Sequence, residues 1–167
     1  SLDAHQAELV GISLSTKIGR ACYIPIGHKL DGCLKKEVVL KKLKPLLEDK
    51  SVKKIGQNIK FDFIVLYKQN IKMNSMEDTM LMSYVLDAGK NRHNMDTLSE
   101  IHLKHKTITF KEMVGTGKKQ INFSEVELQK AMEYAAEDAD ITYRLYKIFN
   151  KNLKIEKLIN IYEIFEK

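Results

Sequence analysis

The chain has 167 residues, 44% of them hydrophobic and 30% charged, the profile of one globular domain with a core large enough to need no disulfide or metal staple. Its longest uninterrupted apolar run is Phe63–Tyr67, far too short for a transmembrane helix, so no membrane partner is expected. The net charge of +6 suits a polyanion, but of the 28 basic residues only Arg20, Arg92 and Arg144 are arginine; AT-rich coding alone produces such a lysine coat, so charge by itself selects no partner.

In chain order, Leu9–Ser15 and Ala21–Ile26 read as strands, and the turn Thr16–Arg20 with Gly19 makes them a hairpin. Cys22 and Cys33, the two cysteines, read as reduced, cytosolic thiols. Glu37–Leu47 has helical spacing, with Val38, Val39, Leu43, Leu46 and Leu47 on one side. Val52–Ile55 reads as a short strand ending at Gly56, followed by a helix over Ile59–Gln69 with Asn58 at its start. Asp78 is placed to cap a helix over Thr79–Leu86, and Asp96 to cap one ending near His102. Ser124 and Glu127 form a capping-box pattern before a helix of about 25 residues, and a last amphipathic helix runs from Ile155. Strands first, then alternation, then helices describe an α/β domain with a mixed sheet.

Two carboxylates fall on faces that should be apolar. The long helix carries a stripe through Ala131, Tyr134, Ala135, Asp138, Ile141, Thr142, Leu145 and Phe149, with Asp138 at its centre. The helix at Ile59 repeats the oddity, since Asp62 shares a face with Ile59, Phe63 and Leu66. An ionised carboxylate on a buried face is costly unless paired, hydrogen-bonded or bound to a metal. The residues alone leave open a shared cation site, a salt bridge to lysine or a helix cap. Tyr134 stacks one turn before Asp138, either to orient a water or to fill the core. Gly115-Thr116-Gly117-Lys118-Lys119 has the wrong spacing for a P-loop, and His102 with His105 lacks the further ligands of a zinc set and reads as solvated surface.

The segment Ile55-Gly56-Gln57-Asn58-Ile59-Lys60-Phe61-Asp62 resembles the second exonuclease motif of the DEDD superfamily. Tyr134-Ala135-Ala136-Glu137-Asp138-Ala139-Asp140 resembles the third motif of its Tyr-containing subclass. Leu43–Asp49, Asp78–Leu81 and Leu103–Phe110 extend the likeness to the proofreading domain of bacterial DNA polymerase I, over essentially the whole of residues 1–167. The resemblance implies a ribonuclease H-like fold and hydrolysis of the 3′-terminal phosphodiester of DNA with two Mg²⁺ or Mn²⁺ ions. It implies that Asp62 and Asp138 hold the ions, that Tyr134 orients the attacking water and that Phe110 stacks on a terminal base. It also implies that Asn58, Gln57, Arg92 and Leu2 lie against a single-stranded 3′ end, with a polymerase domain of the same polypeptide as partner. No Asp is followed two positions later by Glu, so the superfamily's first motif is missing. A central strand carrying it is therefore expected upstream, with this chain alone close to inactive and the sheet interrupted. Two alternatives remain: a silent exonuclease-like module supporting a polymerase, and a ribonuclease D-like RNA trimmer.

Overall fold

The computed structural model describes residues 3–166, with side chains through residue 164. An antiparallel hairpin comes first, β1 (Gly11–Lys17) with β2 (Arg20–Pro25), paired Gly11 to Pro25 through Ser15 to Ala21. Its tight turn places Gly19 at φ 74°, where a Cβ would be strained. The hairpin begins two residues later than the alternation suggested. The Val10 carbonyl is already engaged by the Ile26 and Gly27 amides, but residues 9 and 10 form no ladder of their own.

Helix α1 (Lys36–Glu48) precedes β3 (Lys54–Gly56) and α2 (Ile59–Tyr67). Next come β4 (Met76–Asp78), α3 (Thr79–Asp87), α4 (Met95–Leu103) and the short α5 (Phe110–Val114). The 28-residue α6 (Leu128–Ile155) is followed by α7 (Ile159–Ile161) and a π-turn over Tyr162–Glu166. The one amphipathic helix expected from Ile155 is thus broken, because α6 itself runs on through Ile155.

β3 pairs in parallel with β4 and not with the hairpin. The described residues hold two separate two-stranded ladders, so the sheet is interrupted between the hairpin and β3, as expected where the first strand is absent. α6 lies against β1, β2 and β3 and also packs on α3 and α4. Its buried face reads Ala131, Ala135, Ile141, Thr142, Leu145, Tyr146, Phe149 and Leu153; this is the stripe expected from the sequence with Tyr146 and Leu153 added and with Tyr134 and Asp138 only half-buried. Leu145, Phe149 and Leu153 meet Met82, Leu98 and Tyr162 in the principal core. A second cluster of Leu47, Ile59, Leu66, Ile71 and Met73 seats α2, and Ala4 and Ala7 cover Val65 on it. No helix among the described residues is long and apolar enough to cross a membrane, and both cysteines are free thiols.

Candidate active site

α6 presents Tyr134 and Asp138 one turn apart, as its periodicity requires. The Tyr134 hydroxyl donates a hydrogen bond to the Asp138 carboxylate. Asp138 is half-buried. Desolvation pushes its pKa up to about 7, the Tyr134 bond pulls it down, and the nearby Glu137 and Asp96 carboxylates raise it. Burial and the adjacent carboxylates push the Tyr134 phenol far above its ordinary value, so it acts as a neutral donor.

Asp62 sits in the first turn of α2. The inward face expected for it is only partly realised. Ile59 and Leu66 are buried, while Asp62 keeps solvent access. The surrounding protein still raises its pKa to about 6, its own backbone N–H lowers it, and the Asp78 carboxylate raises it.

Asp78 holds this corner together. At the end of β4 it caps α3 as expected, accepting from the Met80 N–H at 2.8 Å. It also accepts from the Asn58 and Ile59 amides at 3.0 and 2.9 Å, so it caps α2 as well. Asn58, expected to cap α2, makes no side-chain cap and takes a left-handed backbone at φ 59°, a conformation that asparagine tolerates. Its amide side chain is left to face outward from the loop.

An aromatic wall adjoins Tyr134. The Phe110 ring, 45% exposed, stacks on Phe123 at 6.0 Å between centroids and 24°. Both rings contact Tyr134, at 6.3 and 5.7 Å. Phe123 thus backs one face of Phe110 and leaves the other face available to a planar group.

A family model described as 3′–5′ exonuclease matches residues 1–154. The chain belongs to the 3′–5′ exonuclease family. It is 43% identical over 188 residues to DNA polymerase I of Rhizobium leguminosarum, covering 100% of this chain and 18% of that one. It is likewise 43% identical over 160 residues to DNA polymerase I of Pseudomonas aeruginosa, covering 92% and 18%. The exonuclease chain therefore spans under a fifth of the length of these relatives. In fold it resembles Brucella melitensis NrnC with bound Mg2+, at TM-score 0.69 and 22% identity, covering 94% and 70% of the two chains.

In this exonuclease, Gln57 turns out to be an internal strut. Its Nε2 donates to the His93 carbonyl at 2.7 Å, and its Oε1 accepts from Thr79 Oγ1. It thereby fixes the segment that carries the exposed Arg92. Leu2 lies outside the described residues. The structure brings Tyr134 to Asp138 and Asp78 to the start of α2, but no hydrogen bond or ion pair joins Asp62 to Asp138. Among the described residues neither carboxylate is paired with a lysine or arginine. Unpaired carboxylate oxygens suit a hard divalent cation. No group of three His, Cys, Asp or Glu placed to hold an ion occurs among the described residues, so Asp62 and Asp138 do not by themselves form a cation cage.

Two participants were not anticipated. Asp96, expected to cap α4, lies inside its first turn, where it accepts from Thr107 Oγ1 at 2.7 Å and acts electrostatically on Asp138. Phe123 carried no signal beyond its aromatic character. His102 is half-buried, edge-on to Phe149 at 4.9 Å, and is not a solvated residue.

Proposed function

We propose that this chain removes nucleotides from the 3′ end of single-stranded DNA, correcting the product of a polymerase domain in the same polypeptide. The observation that carries the reading is the Tyr134–Asp138 hydrogen bond on the inner face of α6, with Asp138 held near neutrality and free of any lysine, in a chain of the 3′–5′ exonuclease family.

In this reading Asp62 and Asp138 hold divalent cations, Mg²⁺ or Mn²⁺, two in the complete site; the Mg2+ in the NrnC structure supports the choice. Bound ions supply charge stabilisation for the attacking and leaving oxygens of an in-line displacement. The chain's own residues do the rest. Tyr134, a neutral phenol, donates to Asp138 and keeps that carboxylate oriented. Phe110 stacks on the terminal base without selecting among bases. Asn58 and Arg92, the latter fixed through Gln57, meet the last nucleotides and their phosphates. Residues 1–167 form part of one exonuclease domain of a bacterial cytoplasmic enzyme. In it the two ladders flank a further strand that brings an Asp-x-Glu pair beside Asp138.

The test is hydrolysis of 5′-labelled single-stranded DNA, with Mg²⁺, by the polypeptide that contains this chain. Asp62→Ala and Asp138→Ala should each reduce the rate by at least about 100-fold, since loss of even an outer-shell partner costs 10–100-fold at metal sites. Retained activity in both variants refutes the assignment. No cleavage by the unaltered protein would instead support a silent supporting module, and preference for an RNA strand would support RNA trimming.

A further inference from the structure

The segment 104–109 links α4 to α5 without regular structure of its own, yet it is tied down along its length. From α4, the Ser99 hydroxyl donates to the His105 carbonyl at 2.8 Å, and Asp96 accepts from the buried Thr107 at 2.7 Å. From α6 comes Glu137. Its Oε1 lies 2.7 Å from His105 Nε2, and its Oε2 accepts the Ile108 N–H at 2.7 Å. The Glu137 side chain is 19% exposed and that of His105 is 47% exposed; both bonds to the carboxylate are charge-assisted, and the one from the Ile108 amide is part-buried. Two residues after Ile108, Phe110 opens α5.

Glu137 also borders a cavity of about 480 Å³ with Gly19, His105, Asp140 and Arg144. The polar groups there are turned on one another: Asp140 accepts from the Gly19 N–H at 2.7 Å and from Arg144 Nε at 2.8 Å. The carboxylates of this cavity are engaged inside the fold, and Glu137's two oxygens are both committed to the 104–109 segment.

We propose that Glu137 is a positioning residue for the exonuclease reaction, latching the Phe110 platform to the helical turn that bears Asp138. The stacking ring and the reactive carboxylate then share one rigid frame, and the terminal base is set at a fixed distance from the bond to be cut. This inference rests on the reading of Phe110 as the base-stacking ring.

The experiment uses the polypeptide that contains this chain, with Mg²⁺, on two single strands: one ending in an ordinary nucleotide and one ending in an abasic nucleotide. Glu137→Ala should raise KM on the ordinary end by about tenfold, toward the lower end of what losing one base–aromatic stack costs, with kcat little changed. Glu137→Gln keeps an acceptor for the Ile108 N–H and should recover most of the loss. On the abasic end all three proteins should be alike. Amide exchange at Ile108 should accelerate in Glu137→Ala and not in Glu137→Gln. A general stabilising brace would not distinguish the two ends, so an equal loss on both, or no change in KM, overturns the proposal. If Glu137→Ala does not fold, His105→Ala opens half of the latch from an exposed side chain. A KM rise confined to the base-bearing end then supports the proposal, and no rise overturns it. Phe110→Ala separates the two levels. If its KM rise is not confined to the base-bearing end, the stacking reading falls and takes this inference with it; if it is so confined while Glu137 variants show no such rise, the latch alone is wrong.

Discussion

In the proposed reading Asp138 is the residue on which the chemistry turns, and its protonation leaves a measurable trace. Its pKa is raised from 3.8 to about 7, and that of Asp62 from 3.8 to about 6. A raised acid binds more protons folded than unfolded between those values. Its stabilising contribution is therefore complete below about pH 4 and is lost as pH rises through 6 to 7. In EDTA, Asp138→Asn should flatten this fall and gain about 1 kcal/mol at pH 8, the full linkage being discounted for partial solvent screening. Urea denaturation at pH 5 and pH 8 reads it directly. Tyr134→Phe removes the one hydrogen bond that lowers the Asp138 pKa, so its carboxyl carbon should titrate at higher pH by NMR. A titration unchanged in that variant would show that the phenol does not act on the carboxylate.

At the scale of elements, what the sequence made legible was what long periodic stretches encode. The face of α6 was readable because its stripe repeats over about five turns. The Asp78 cap of α3 was readable because it is local, two residues from its donor. The same carboxylate's bonds to Asn58 and Ile59 were not, because they arise from β4 lying beside β3, a contact between residues about 20 apart. β4 itself is three residues, two of them acidic, and shows no alternation. α5 was missed for its length, although Thr109 and Glu112 form a complete capping box. The capping box expected at Ser124 and Glu127 is instead made by Asn122 and Glu125 around a 3₁₀ turn. That turn consumes the residues between it and α6, whose first position is left without a side-chain cap. The chain end also reaches the site: the fully buried Tyr162 hydroxyl accepts the Asp78 N–H at 2.9 Å. Tyr162→Phe leaves that amide unsatisfied and should cost about 1–3 kcal/mol, measured by thermal unfolding. A neutral result would mean that water replaces the phenol.

For the whole molecule, the lysine coat and the single spine helix set the behaviour. If the basic surface tracks a DNA backbone, KM for a single strand should rise on the order of tenfold between 50 and 200 mM salt, as expected for about three neutralised phosphates. A flat response would assign the lysines to solvation alone. The spine has a different consequence. α6 carries the site at Tyr134 and Asp138 and the deepest core at Leu145, Phe149 and Leu153 on one unbroken rod. Each residue of an α-helix advances the side chains by about 100°. Inserting or deleting a single residue between positions 139 and 144 would leave each half well formed and rotate it out of phase with the other. Either the reactive carboxylate would swing to the far side, or the hydrophobic ballast would face water. A change of length in this stretch is therefore not tolerated.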